Sequence, residues 1–110
     1  MFGKKKKQET KVKTISSFDK IHTASLISGE SIYEEMLKDA DYILNDIPLL
    51  INFSKITTDE EANYILAFLS GVSYAKGGNV YQINELTHLF TTEEAMKDGS
   101  IEKYLKQVGC

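Results

Sequence analysis

The alternation of apolar and polar residues predicts four short strands. Residues 20–28 (KIHTASLIS) alternate loosely between apolar and polar side chains, which is typical of a strand with one buried face. Residues 49–53 (LLINF) form a continuous apolar run, and this indicates a central strand that is covered on both faces. Residues 79–83 (NVYQI) and 86–92 (LTHLFTT) predict two further strands, joined at Asn84-Glu85 as a hairpin.

Two longer segments repeat their apolar residues at the spacing of an α-helix. In residues 28–46, Ser28 or Ser31 can cap the helix, and glutamates follow in the first turn. In residues 55–78, Thr57 or Thr58 can cap the helix in the same way. The positions predicted to be buried are Ile32, Tyr33, Met36, Leu37, Ala40 and Ile43 or Leu44 in the first helix, and Ala62, Ile65, Leu66, Phe68, Leu69 and Val72, with Tyr74 or Ala75, in the second.

The order of these elements predicts the fold class. A last helix can form over residues 101–107, after the Asp98-Gly99 turn. The order β-α-β-α-β-β with this C-terminal helix is typical of a two-layer α/β sandwich with a small mixed sheet. Gly71 lies inside the second helix, where glycine costs about 1 kcal/mol relative to alanine, so we expect either close approach by another backbone or a kink.

Composition and charge divide the chain into a tail and a core. The 110 residues are 42% apolar and 26% charged, which indicates one globular domain. Residues 1–18 are rich in lysine and lack periodicity, so we expect a disordered tail before a globular core over residues 19–110. Residues 1–20 carry seven lysines and two carboxylates (net +5), whereas residues 21–110 carry six lysines and fourteen carboxylates (net −8). Since the acidic core repels phosphate, we expect no nucleic-acid partner.

No motif in the chain predicts catalysis, a metal site or a cofactor. The sequence contains no phosphate-binding glycine loop and no nucleophile elbow. His22 and His88 fall on separate predicted strands, and Cys110 is the only cysteine, so no set of ligands has the spacing of a metal site. Because there is also no membrane-length apolar run and no signal-peptide pattern, we expect the chain in the cytoplasm.

One stretch resembles a known family. Residues 51–90 combine an apolar strand ending in Asn-Phe, an acidic helix start, and the helical motif F-L-S-G-x-x-Y-A, followed by a glycine and a strand pair. The pattern and its spacing resemble the core of SepF, a family of cell division proteins. The matching residues are Asn52, Phe53, Asp59, Ala62, Ile65, Phe68, Leu69, Ser70, Gly71, Tyr74, Ala75, Gly78, Ile83 and Leu89.

The resemblance implies a non-catalytic adaptor that acts at the division site. SepF-like proteins form homodimers and higher polymers, bind the C-terminal peptide of the GTPase FtsZ, and contact the membrane through their N-terminus. For this chain, the resemblance implies an FtsZ-peptide site at Tyr81, Gln82, His88 and Phe90 and a dimer or polymer interface at Gly71, Tyr74 and Gly78.

The chain departs from the family pattern at several of these places. Tyr64 and Ala67 stand where the family usually has Arg and Asp, Gln82 replaces a basic residue, and His88 replaces an aromatic residue. The N-terminal residues have too few apolar side chains for an amphipathic helix, so we expect weak or no contact with anionic membranes. Any such contact would use Phe2, Lys4, Lys5, Lys6 and Lys7.

Alternative interpretations remain open at this stage. The glycines can serve packing within one protomer, and Ser54, Thr57 or Thr58 can be the phosphorylation switch of a STAS-like regulatory module. A small-molecule or enzymatic domain is a further alternative, since the fold alone does not determine function. Surplus apolar residues in the hairpin nonetheless favour a dimer, because one face of a short hairpin cannot bury all of them. These residues are Val80, Ile83, Leu86, Leu89 and Phe90.

Overall fold

A computed structural model describes residues 15–110 of the chain. Its elements in chain order are α1 (Ser17–Lys20), β1 (His22–Ser25), α2 (Ile32–Leu44), β2 (Leu49–Asn52), α3 (Asp59–Ala75), β3 (Val80–Asn84), β4 (Thr87–Phe90), α4 (Glu93–Met96) and α5 (Ser100–Gln107). The predicted α/β class, the order β-α-β-α-β-β and the C-terminal helix are confirmed. The short helices α1 and α4 were not predicted.

The four strands form one mixed sheet in the order β1-β2-β4-β3. β1 and β2 are parallel because α2 carries the chain back between them, whereas β4 pairs antiparallel with both β2 and β3. The central position predicted for residues 49–53 is confirmed by β2. The hairpin turn lies one residue later than predicted, because Asn84 remains in β3 and its Oδ1 accepts a hydrogen bond from the Leu86 amide at 2.9 Å.

Each face of the sheet supports a separate hydrophobic cluster. On one face, α2 and α3 cover Leu49 and Ile51 of β2. On the other face, α5 contributes Ile101 and Leu105 to a smaller cluster, against which Leu50 of β2 packs. Successive strand residues point to opposite faces, so β2 is covered on both sides, as its continuous apolar run predicts.

The second cluster corrects the argument that surplus apolar residues in the hairpin require a dimer. Leu89 is fully buried against α5, and Ile83 packs beside it. Phe90 is fully buried in the cluster under α2 and α3, and Val80 packs against that cluster. Only Leu86 remains largely exposed, because it lies in the turn. A helix of the same chain therefore covers the surface that a partner was expected to cover.

The ordered core begins before residue 19. Ser16 caps α1 by accepting a hydrogen bond from the Asp19 amide at 3.1 Å. The Ser17 amide donates to the Asp98 carboxylate at 2.8 Å, and the Phe18 ring lies 5.2 Å from the Tyr104 ring of α5. These contacts tie residues 16–18, which were predicted to belong to the tail, to the C-terminal helix. The rest of the predicted tail, residues 1–14, lies outside the described range.

Only part of each predicted helical stripe is buried. In α2, the side chains of Ile32, Met36, Ala40 and Ile43 are buried, whereas Tyr33, Leu37 and Leu44 are exposed. In α3, Thr58 is the N-cap and accepts a hydrogen bond from the Glu61 amide at 3.2 Å. The fully buried residues of α3 are Ile65, Leu69 and Ser73. None of the helices described is long and apolar enough to span a membrane.

Candidate functional site

An exposed apolar surface, here called the helical face, runs along the outer side of α2 and α3. Its five large side chains are between 40% and 59% exposed: Tyr33, Leu37, Leu44, Tyr64 and Tyr74. The rings of Tyr33 and Tyr64 meet edge to face with centroids 4.9 Å apart, so the two helices share one surface at this end. At the other end, Leu44 and three small residues of α3 line a shallow groove, and these residues are Ala67, Gly71 and Ala75.

Gly71 is open to a partner rather than enclosed by its own protomer. A Cβ atom placed on Gly71 would meet no atom within 4 Å. α3 runs without interruption from Asp59 to Ala75, so the glycine does not break the helix. The described residues therefore leave room for a side chain at this position, and the predicted role of Gly71 in an interface stays a prediction.

Gly78, by contrast, is required by the fold of one protomer. It is buried, and a Cβ atom placed on it would overlap the Thr91 carbonyl group and lie 2.5 Å from the Thr92 Cα. This close approach brings the start of β3 beside the end of β4. Of the three residues predicted at a dimer interface, Gly71 and the exposed Tyr74 are accessible, whereas Gly78 faces inward.

A second feature, here called the hairpin cleft, lies between the first turns of α3 and the β3–β4 turn. Its volume is about 240 Å³, smaller than the roughly 300–1,000 Å³ of sites for drug-sized ligands. Its walls include apolar side chains and one imidazole: Phe53, Ile56, Ala62, Leu66, Leu86 and His88. The charged residues in its lining are Asp59 and Glu85, both exposed. The cleft has room for one or two side chains of a peptide.

The sheet register decides which predicted peptide-binding residues share a surface. Gln82 pairs with His88, and Val80 pairs with Phe90, so Gln82, His88 and Phe90 all lie on the face toward α3. Tyr81 packs on the opposite face, beside α5. Phe90 is fully buried beneath α3, whereas Gln82 is exposed. The structure thus brings Gln82 and His88 together, places Tyr81 on the opposite face, and buries Phe90 next to His88 where it is inaccessible to a peptide.

The imidazole of His88 is held in an apolar setting. Its ring lies edge to face with Phe53, with centroids 5.2 Å apart. Burial lowers the pKa of His88 below its usual value, because a charged ring would lose hydration there. Its Nδ1 is buried and has no hydrogen-bond partner among residues 15–110. His88 is therefore neutral at pH 7.

Several lining residues of the cleft were not predicted as functional. Phe53 was noted only as part of a motif, and Leu66 only as a core residue. A signal was available, because Phe53 directly follows β2 in the connection that leads to α3, but the sequence does not show how closely the hairpin turn approaches. Thr58 caps α3, and the Thr57 amide donates to the Ser28 hydroxyl at 2.7 Å, so both residues have structural roles.

Within residues 15–110, no group of three or more His, Cys, Asp or Glu side chains is placed to hold a metal ion. His22 stacks on Tyr42 with ring centroids 3.8 Å apart, on the strand at the opposite side of the sheet from β3. The two histidines therefore belong to separate environments. The residues predicted to contact a membrane, Phe2 and Lys4 to Lys7, lie outside the described range.

The family model and the similar relatives all carry the same family description. The family model described as cell division protein SepF matches residues 31–95, which span α2 through most of α4. Similar relatives named cell division protein SepF include one from Listeria monocytogenes, 29% identical over 101 residues, or 91% of this chain and 66% of the relative. Another, from Bacillus licheniformis, is 32% identical over 82 residues, or 74% of this chain and 54% of the relative.

The matches cover the sheet, the helical face and the hairpin cleft. The chain spans just under two thirds of the length of the Listeria relative and about half that of the Bacillus relative. Thr58 of the STAS-like alternative is accounted for as a helix cap, and the family match covers the same segment. The chain belongs to the SepF family of cell division proteins.

Proposed function

We propose that this protein is a non-catalytic adaptor of the division machinery, which binds the C-terminal peptide of FtsZ as a homodimer. The observation that carries the proposal is the hairpin cleft, a partly apolar recess that half-buried His88 lines, with exposed Gln82 paired to His88 in the sheet. These are two of the four positions that the family resemblance marks for peptide binding. A cleft of this size suits the anchor side chain of a short peptide.

The helical face supports the proposed homodimer. Exposed apolar patches on this scale usually mark interaction sites. Three small residues of α3, Ala67, Gly71 and Ala75, lie in the groove of this face, so a helix of a second protomer can approach α3 closely at these positions. Tyr64 and Ala67, which replace the charged pair usual in the family, both lie exposed on α3 and make this surface more apolar.

Peptide binding is tested by isothermal titration of the protein with the C-terminal peptide of FtsZ from the same organism. We expect saturable binding with a Kd in the micromolar range, equivalent to about −8 kcal/mol. Leu86→Asp places a charge at the mouth of the cleft and should weaken binding at least about tenfold. Val108→Asp is the matched control, because Val108 is also exposed but follows α5 on the other side of the sheet. Equal binding by both variants would refute the assignment of the cleft.

The dimer is tested separately by light scattering. Leu44→Asp puts a charge in the groove of the helical face and should shift the protein to a monomer, whereas Val108→Asp should remain a dimer. A wild-type protein that is monomeric at micromolar concentrations would refute the homodimer without affecting the peptide site. A dimer that survives Leu44→Asp unchanged would place the interface elsewhere.

We also propose that the N-terminal residues make weak or no contact with anionic membranes. A polybasic segment contributes about 1 kcal/mol per lysine near an anionic surface, and salt screens this attraction. Liposome flotation at low and physiological salt measures it, with vesicles containing about one third phosphatidylserine. Recovery with the vesicles at low salt only, or at neither, is the expected result. Strong recovery at both would show that the N-terminus is an effective anchor.

A further inference from the structure

The buried nitrogen of His88 is an unsatisfied polar atom in the wall of the hairpin cleft. Nδ1 is shut off from water and has no hydrogen-bond partner among residues 15–110. Phe53 and Phe90 lie on either side of the ring, with centroids 5.2 Å and 6.5 Å away. Buried polar groups in folded proteins are almost always paired, so an unpaired one calls for an explanation.

The burial of Nδ1 determines where the ring carries its proton. A neutral imidazole has one N–H donor and one acceptor nitrogen. An N–H group buried without an acceptor is rarer in proteins than an acceptor without a donor, so the proton belongs on Nε2. A charged ring would require N–H groups at both nitrogens, and the lowered pKa agrees with its exclusion. His88 therefore presents one donor, Nε2–H.

Because Nδ1 is sealed, any polar contact between the ring and a molecule in the cleft is made by Nε2. The other walls supply apolar contacts from Ile56, Leu66 and Leu86. The sheet neighbours that pair with His88 are Ile51 and Gln82, and neither is charged. Thr57, Thr58 and Asn63 also line the cleft, so a ligand meets hydrocarbon, uncharged polar side chains and the neutral donor of His88.

We propose that His88 orients the bound peptide by donating its Nε2–H to a backbone carbonyl oxygen, while an apolar side chain of the peptide fills the hairpin cleft. This inference rests on the proposed peptide-binding function and names the residue that determines its specificity. The charged groups at the rim are the carboxylates of Asp59 on α3 and Glu85 in the β3–β4 turn. A segment that is neutral or basic around its anchor complements this rim, whereas an acidic segment is repelled.

Two substitutions at position 88 distinguish the contribution of the Nε2–H donor to binding from that of the aromatic ring. His88→Gln keeps an N–H donor near the position of Nε2, whereas His88→Phe keeps the aromatic contact with Phe53 but removes the donor. With the FtsZ C-terminal peptide as the probe, we expect His88→Gln to bind within about threefold of wild type. We expect His88→Phe to bind about tenfold more weakly, because the peptide carbonyl then lacks its partner. Thermal melting of both variants confirms that they fold.

A spectroscopic measurement on the free protein tests the tautomer independently of any peptide. Long-range ¹H–¹⁵N spectra at pH 7 should show a neutral His88 with its proton on Nε2. A ring protonated on Nδ1 or on both nitrogens would overturn the inference. Wild-type binding that His88→Phe leaves unchanged would also overturn it while the proposed function stands. No binding by the wild-type protein would refute the proposed function and, with it, the role of His88.

Discussion

Replacing Gly78 by alanine should destabilise the protein strongly, although the substitution adds only one methyl group. The new Cβ would lie 2.5 Å from the Thr92 Cα, whereas carbon atoms in contact sit about 3.5–4.0 Å apart. The two backbone segments must therefore separate by about 1 Å. This movement strains three hydrogen bonds between Asn79 and Thr91, at 2.8, 3.0 and 3.1 Å.

The expected loss of stability in Gly78→Ala can be worked out from these contacts. Overpacking of a tight interior site costs about 1–3 kcal/mol, and the weakening of the three hydrogen bonds, which are stretched rather than lost, adds about 1 kcal/mol in total. We expect a total loss of about 2–4 kcal/mol in the free energy of unfolding, a large part of the roughly 5–15 kcal/mol of a typical domain. For a chain of this length, the melting temperature should fall by roughly 8–16 °C.

Gly71→Ala is the matched control, because it adds the same methyl group to a glycine that has no neighbour within 4 Å. Alanine is favoured over glycine inside a helix, so this variant should gain up to about 1 kcal/mol. Urea unfolding of both variants in a Leu44→Asp background, which removes the proposed dimer contact, gives the comparison. A loss below about 0.5 kcal/mol for Gly78→Ala would refute the close approach of β3 and the segment after β4. A destabilised Gly71→Ala would refute the open surface of α3.

Three further substitutions test other parts of the structure. Thr58→Ala removes the N-cap of α3 and should cost about 1 kcal/mol in urea unfolding, whereas Thr57→Ala, which leaves the cap in place, should cost less. Ser73→Ala should be neutral or stabilising by the same assay, because the Ser73 hydroxyl is buried without a partner among the residues described. Asp98→Ala should loosen α1, since the Asp98 carboxylate accepts hydrogen bonds from the amides of Ser17 and Ser100 that lower its pKa to about 2. A carboxylate with a depressed pKa stabilises the fold above pH 4, so the stability difference between wild type and Asp98→Ala should shrink as the pH falls from about 4 toward 2.

The sequence predicted the elements well because each one carries a local signal. The continuous apolar run of β2 reflects burial on both faces, and Leu49 and Leu50 do pack against different clusters. Thr58 was one of two predicted caps for α3 because the acidic residues that follow it identify the start of the helix. Tertiary contacts determine the elements that the local sequence pattern does not predict. α1, for example, forms where Asp98, 81 residues away from Ser17, accepts the amide hydrogen bond at its start.

The buried and exposed stripes of α2 show why sequence alone could not locate the exposed apolar surface. Ile32 and Met36 recur at helical spacing, and so do Tyr33 and Leu37, so both pairs fit a core-facing stripe. The position of the sheet beneath α2 selects the first pair for burial. The second pair then remains largely on the surface, where Tyr33 contacts Tyr64 of α3 and Leu37 is exposed. Tyr81 and Gln82 lie on opposite faces because they are adjacent in β3, but the alternation does not determine which of them faces α3.

Several residues that match the family pattern lie in the core of the protein, whereas the residues that depart from it lie on or near its surface. Ile65 and Leu69 match the family pattern and are fully buried, and Gly78 matches where a side chain would overlap Thr91. The departures at Tyr64, Ala67, Gln82 and His88 fall instead on the helical face and around the hairpin cleft. Substitutions at these exposed or half-buried places change what a surface binds at little cost to folding. The fold is therefore expected to follow the family closely, while the strength of the proposed dimer and the chemistry of the proposed peptide site are expected to be this protein's own.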